Sequence, residues 1–215
     1  MMEIKLVKNI LDANDRLAED NKKAFEAAGT TVINMIGSPG SGKTSLILRT
    51  IEKLKDKCGI QVIEGDIASS IDAQTIAGKG IDALQINTEG ECHLDANMIR
   101  QAVRSFELKP GLLFIENVGN LVCPAEFEIG EDFKVTVLSV PEGHDKPYKY
   151  PLVFSKSTAV VLTKCDLMPY IDFEMDTFIS GIRSLNPNCR LFVVSSKTGE
   201  GIDEWASWLE GLRRR

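Results

Sequence analysis

The chain has 215 residues, 43% of them hydrophobic and 26% charged, which suits one globular domain with a sizeable core. A formal net charge of −6, from 25 basic and 31 acidic residues, excludes a general electrostatic grip on nucleic acid. Apolar runs such as Leu112–Ile115 fall far short of the roughly 18 residues a membrane span needs, so no membrane association is expected.

The opening residues Met1–Lys5 lack the apolar region of a secretion signal. Five cysteines, an odd number, do not suggest a disulfide framework. A cytoplasmic protein is the expectation. Ile4, Leu6, Val7, Ile10, Leu11, Leu17, Ala18, Ala24 and Phe25 recur at roughly helical spacing, with a break near Asp12–Asp15. One or two amphipathic helices over residues 4–28 are predicted, an N-terminal extension (1–28) packed on a domain spanning 29–215.

From Thr31 the pattern changes to short apolar strands alternating with helices. Strands are predicted at Thr31–Ile36, Gln61–Glu64, Ala83–Ile86, Leu112–Ile115, Val135–Leu138, Ala159–Leu162 and Leu191–Val194. Helices are predicted after the first glycine loop to about Lys57, from about Leu94 to Phe106, and over about 171–185 and 202–213. Alternation of this kind implies parallel pairing with right-handed crossovers. The predicted fold is a single α/β P-loop domain, a mostly parallel sheet of about seven strands with helices on both faces. The terminal Arg213–Arg215 run reads as a solvated helix end.

Gly37-Ser38-Pro39-Gly40-Ser41-Gly42-Lys43-Thr44 matches the G-x4-G-K-[ST] phosphate loop, with a strand leading in and a helix leading out. Backbone N–H groups and the helix N-terminus then converge on one anion site. Ser38, Gly40, Ser41, Gly42, Lys43, Thr44 and Ser45 are the candidate phosphate-binding residues. Lys43 is placed to reach the β- and γ-phosphates, and Thr44 to ligand Mg²⁺.

Asp66 closes the second strand, and Glu116-Asn117-Val118-Gly119 follows the fourth in the position of a D-x-x-G motif. Asp66 and Glu116 are both candidates for Mg²⁺ or the attacking water, and the sequence leaves the division open. Gly119 lets a backbone N–H approach the γ-phosphate. Cys92, His93 and Cys123 form a separate group. Thiolate and imidazole favour Zn²⁺ or Ni²⁺ over harder ions. Two buried thiols and a helix-capping histidine are the alternative. Three ligands would leave a position open, so a site shared between two subunits is the metal hypothesis.

Thr163-Lys164-Cys165-Asp166 resembles the [NT]-K-x-D base motif, and the Asp166 carboxylate can accept from guanine N1–H and its exocyclic amine. Adenine would leave that carboxylate poorly paired. The Lys164 stem can cover the base, and Ser195-Ser196-Lys197 resembles the loop that contacts guanine O6, with Ser196 and Lys197 the candidate residues. GTP and GDP are therefore the expected ligands. Cys58, Cys165 and Cys189 read as core or base-loop cysteines, and His144 as a loop residue.

Taken together, the phosphate loop, Glu64-Gly65-Asp66, Glu91-Cys92-His93-Leu94-Asp95, Glu116-Asn117-Val118-Gly119-Asn120-Leu121-Val122-Cys123-Pro124, Asp145-Lys146-Pro147 and Thr163–Asp166 resemble the HypB-like hydrogenase nickel-incorporation GTPases. That family is itself similar to the urease accessory GTPases. The resemblance implies GTP hydrolysis, homodimerisation with GTP bound, nickel delivery with a partner to an apo-hydrogenase client, and a Zn²⁺/Ni²⁺ site at Cys92, His93 and Cys123. A histidine-rich tract and an N-terminal cysteine motif are missing, so nickel storage and a second metal site are not implied. The urease-type alternative carries Cys-Pro-His, whereas Cys123-Pro124 is followed here by Ala125. Two other classes share parts of the pattern: a metabolite kinase, which would need an arginine-rich lid, and a metal-binding scaffold that uses nucleotide structurally.

Overall fold

β-Branched and apolar runs form seven strands: β1 Thr30–Ile36, β2 Ile60–Asp66, β3 Asp82–Asn87, β4 Gly111–Glu116, β5 Phe133–Ser139, β6 Ala159–Thr163 and β7 Arg190–Val193. They lie in one sheet in the order β3-β2-β4-β1-β5-β6-β7, and every pairing is parallel. The computed structural model describes residues 6–66 and 75–214, so Met1–Lys5, with Ile4 of the expected helical stretch, and Arg215 lie outside the described residues.

The strands are apolar on both sides because helices cover both faces. Alternate residues divide between them. Ile33 and Met35 of β1 join Val135 and Val137 under helices α2 (Lys43–Leu54) and α8 (Ile202–Leu212), which contribute Leu46, Ile51, Trp205 and Leu209. Val32 turns to the other face, with Phe25 of α1 (Leu6–Ala27) and Ile99 of α3 (Ala96–Ser105). Farther along that face, Leu138, Val160 and Leu162 pack on Phe154, Phe178 and Ile182, from helices α6 (Pro151–Lys156) and α7 (Met175–Leu185).

Several boundaries differ from the sequence-based expectation. The N-terminal stretch is one unbroken helix: Asn14, in the expected break, is buried and bonded to the fold, so polarity there marks a docking face. Short helices α4 (Cys123–Glu126), α5 (Lys146–Lys149) and α6 were not predicted. Each has proline in its first turn, where a missing N–H costs nothing, and each is too short to show a period. Of the terminal arginines, Arg213 and Arg214 are not simply solvated. Helix α8 ends at Leu212; the Arg214 guanidinium then pairs with Asp132 and Glu26, and its N–H donates to Thr31 Oγ1 at 2.9 Å.

β1 lies between β4 and β5, and the chain leaves it first towards β2 on one side and later towards β6 on the other. Connections diverging from a central strand open a crevice at the strand C-terminal ends. The loops after β1, β2, β4 and β6 border it.

Candidate functional site

Gly37–Gly42 turns the chain from β1 into α2. Gly40 and Gly42 have φ of +73° and +96°, a region closed to most side chains, and a Cβ on Gly37 would lie 2.3 Å from Val137 O. The loop encloses one side of a cavity of about 520 Å³ lined by Pro39, Gly40, Gly42, Lys43, Thr44, Ser45, Glu64, Gly65, Asp66, Glu116, Asn117, Val118, Gly119 and Lys164. Lys43 Nζ donates to the Gly37 and Ser38 carbonyls at 3.1 and 3.3 Å. Thr44 Oγ1 donates to Glu116 Oε1 at 2.9 Å. Strand register sets Glu64 beside Glu116, with Asp66 at the end of β2. Hydroxyl and carboxylate oxygens at the foot of a phosphate loop are the donor set a hard cation such as Mg²⁺ takes. Ser38 and Ser41 do not line the cavity. Ser41 is fully buried, and its carbonyl accepts from Thr163 Oγ1 at 2.5 Å.

A second cavity, about 540 Å³, adjoins the first and shares Gly42, Ser45 and Lys164 with it. Its walls include Thr163, Asp166, Leu167, Ser196 and Lys197, together with Leu48, Arg49 and Glu52 of α2. Lys164 adopts φ +58°, and its Nζ donates to Gly40 O at 2.7 Å, tying the base motif to the phosphate loop. Asp166 Oδ1 accepts from the buried Ser195 hydroxyl at 2.6 Å. Arg49 Nε donates to Ser196 O at 2.6 Å, fastening the loop after β7 to α2. Cys165, between Lys164 and Asp166, is buried, and desolvation pushes its thiol up to about 11, so it is an inert packing group.

Three residues here were not picked out as site residues from sequence. Ser195 orients Asp166, Arg49 fixes the base loop, and Glu64 brings a buried carboxylate into the phosphate cavity. Glu64 left a signal, a charged residue inside an apolar strand, and Ser195 stood inside the Ser195-Ser196-Lys197 motif; Arg49 left none.

The loops after β3 and β4 bring Cys92, His93 and Cys123 together, their ligand atoms all within 4.8 Å of one another. Each is half-buried. The Cys123 thiol, through its hydrogen bond, and then burial raise the Cys92 thiol above its ordinary range. His93 does not cap the following helix; Asp95 does, its Oδ1 accepting from Met98 N at 2.7 Å. The His93 ring instead stacks on Phe127 at 4.0 Å between centroids. Two sulfurs and an imidazole nitrogen fit a borderline-soft ion such as Zn²⁺ or Ni²⁺ and leave one tetrahedral position open. Cys58 and Cys189 stand apart in the core, and His144 lies in the loop before α5, accepting from Glu174 N at 3.1 Å.

The two sites touch. A Cβ on Gly119 would meet Pro39 at 2.7 Å, and Asn120 forms an antiparallel bridge with Gly37. Asn120 Nδ2 donates to Cys92 O at 3.3 Å, and its Oδ1 accepts from Val122 N at 2.9 Å. Asn117 Oδ1 accepts from Leu94 N at 3.0 Å. The short segment from Glu116 to Cys123 thus contacts the phosphate loop at one end and carries a thiol at the other.

The family model for the CobW/HypB/UreG nucleotide-binding domain matches residues 31–192. The hydrogenase maturation factor HypB of Escherichia coli K12 is 47% identical over 214 residues, covering 99% of this chain and 73% of that protein. The factor of the same name from Rhizobium leguminosarum is 50% identical over 208 residues, covering 96% and 70%. Among solved structures, Archaeoglobus fulgidus HypB superposes with a TM-score of 0.88 at 39% identity, covering 94% of this chain and 99% of the other. Helicobacter pylori HypB in complex with nickel gives 0.86 at 35% identity, covering 93% and 94%.

Proposed function

The chain belongs to the CobW/HypB/UreG family of nucleotide-binding domains, and from that premise we propose that it is a GTP-hydrolysing maturation factor that assists nickel insertion into hydrogenase. The observation that carries the reading is the contact between a complete phosphate loop and the segment bearing Cys123, through Gly119 on Pro39 and Asn120 on Gly37. Helicobacter pylori HypB, solved in complex with nickel, supports the cargo. Against the urease-type reading stands Ala125, where that type carries histidine after Cys-Pro.

In this reading Asp166, held by Ser195, accepts from the guanine edge, Lys164 covers the base, and Ser196 and Lys197 close the O6 side. Lys43 exchanges its loop carbonyls for β- and γ-phosphate oxygens, and the amides of Gly40, Gly42, Thr44 and Ser45 face the phosphate chain. Thr44 and Glu116 hold Mg²⁺, which when bound neutralises developing phosphate charge. Asp66, at the open end of β2, orients water. Cys92, His93 and Cys123 hold the transferred ion, and the open position receives a ligand from a second subunit in a GTP-bound homodimer or from a client. The nickel-delivery partner and apo-hydrogenase complete the pathway, and the protein acts in the cytoplasm.

Phosphate release from GTP and Mg²⁺ without any phosphorylated acceptor is expected, and Lys43→Ala should lower turnover by at least about 100-fold, the scale of a lost transition-state contact. Turnover unchanged in that variant would overturn the hydrolase reading. Product analysis showing a phosphorylated acceptor would replace it with a kinase.

A further inference from the structure

Helix α1 presents four buried positions from Ile10 onward, Asn14, Ala18, Asn21 and Phe25, spaced as one face of a helix. Two of the four are asparagines, exposed only 7% and 3%. A helix that merely packed would put apolar groups there, because a buried amide is tolerated only when its hydrogen bonds are made. The partners made are specific. Asn14 Oδ1 accepts from Ala96 N at 2.9 Å, and its Nδ2 donates to Glu128 O at 2.8 Å. Asn21 Nδ2 donates to Ala96 O at 2.8 Å and to Ile129 O at 3.1 Å. Both side chains therefore join the same two stretches of backbone, the first residue of α3 and the turn at Glu128-Ile129. Gly130 closes the joint: a Cβ there would sit 2.7 Å from Ala18 O and 2.8 Å from Asn21 Cβ, so only glycine lets α1 come this near.

Those two stretches directly follow the loops that carry the thiols and the imidazole. Ala96 lies three residues beyond His93, with Asp95 capping α3 between them. Glu128 follows Phe127, on which the His93 ring stacks. We infer that Asn14 and Asn21 are positioning residues for the metal site, and that α1 fixes the separation of the Cys92-His93 loop from the Cys123 loop. This rests on the reading of Cys92, His93 and Cys123 as metal ligands. The site is an open, three-ligand set drawn from two loops, so its affinity depends on how far those loops are held in the binding geometry before the ion arrives. No residue of α1 lines either nucleotide cavity, although Glu116–Gly119, at the start of the segment that leads to Cys123, does line one of them.

The test uses the full chain with Co²⁺ as a spectroscopic stand-in for the softer divalent ions. In Asn14→Leu and Asn21→Leu, Co²⁺ affinity measured by chelator competition should fall by about 10- to 100-fold, the effect of removing outer-shell support. The visible absorption of the bound ion should change in intensity and position, and affinity for fluorescent GDP should stay within twofold. A folded variant with wild-type Co²⁺ affinity and spectrum overturns the inference. If the variants do not fold, hydrogen exchange of the wild-type chain decides, since coupling is reciprocal. Added Co²⁺ should slow exchange along α1 as well as in the two loops. Protection confined to the loops overturns the inference. Wild-type protein that takes up no Co²⁺ removes the metal reading itself, an outcome distinct from the other two.

Discussion

Cys123 gains its meaning from position, since a lone half-buried thiol is ordinarily a small hydrophobe. Its sulfur is within 4.8 Å of the Cys92 sulfur and a His93 nitrogen, three ligands from loops at the ends of different strands. Cys123→Ala should therefore lose Zn²⁺ by more than the roughly 100-fold that outer-shell changes produce, while keeping GTP affinity. Metal content by mass spectrometry and a nucleotide titration on the same sample check it; unchanged zinc in the variant would count against the site. At this scale the sequence was legible where chemistry is contiguous. Lys43, Thr44, Lys164 and Asp166 announce themselves because a phosphate loop and a base motif are built from neighbours. Arg49 did not, and Ser195 showed only as part of a base-loop motif, because their partners, the Ser196 carbonyl and Asp166, come from other elements.

Between residues and molecule, the decisive element is the segment after β4. It begins at Glu116, bonded to Thr44, runs past Gly119 against Pro39 and Asn120 against Gly37, and ends in the turn of α4 that starts at Cys123. Asn120 bonds the Cys92 carbonyl and the Val122 amide, so in the proposed function a shift of the phosphate loop would reach both thiol-bearing loops. If the segment couples the two sites, wild type should bind metal with different affinity in its GTP-analogue and GDP forms, and Asn120→Ala should abolish most of that difference while keeping GTP affinity within about threefold. Paired titrations of wild type and variant measure it, and a preserved difference would place the coupling elsewhere. Long periodic elements such as α2 and α7 were readable. The one- to two-turn helices α4, α5 and α6 were not, since proline in the first turn looks in sequence like a break.

For the whole molecule, the fourth position that the proposed metal site leaves open and the exposed Val122 beside Cys123 would suit a second copy of the chain across that face. Sedimentation should give twice the monomer mass with a non-hydrolysable GTP analogue and Mg²⁺, and a smaller average mass with GDP. Equal masses in both states would set aside nucleotide-controlled dimerisation. The sequence by itself determined the strand–helix alternation, the phosphate loop, the base motif and the family resemblance, because these depend on local periodicity and on neighbours a few residues apart. Only the tertiary structure decided that Cys92 and His93 meet Cys123, that α1 is one helix whose asparagines bond the backbone just beyond the thiol-bearing loops, and that Arg214 folds back onto Asp132 and Glu26. Those contacts join residues far apart in the chain, and a distance across a folded sheet is set by strand order and packing, which no local pattern encodes.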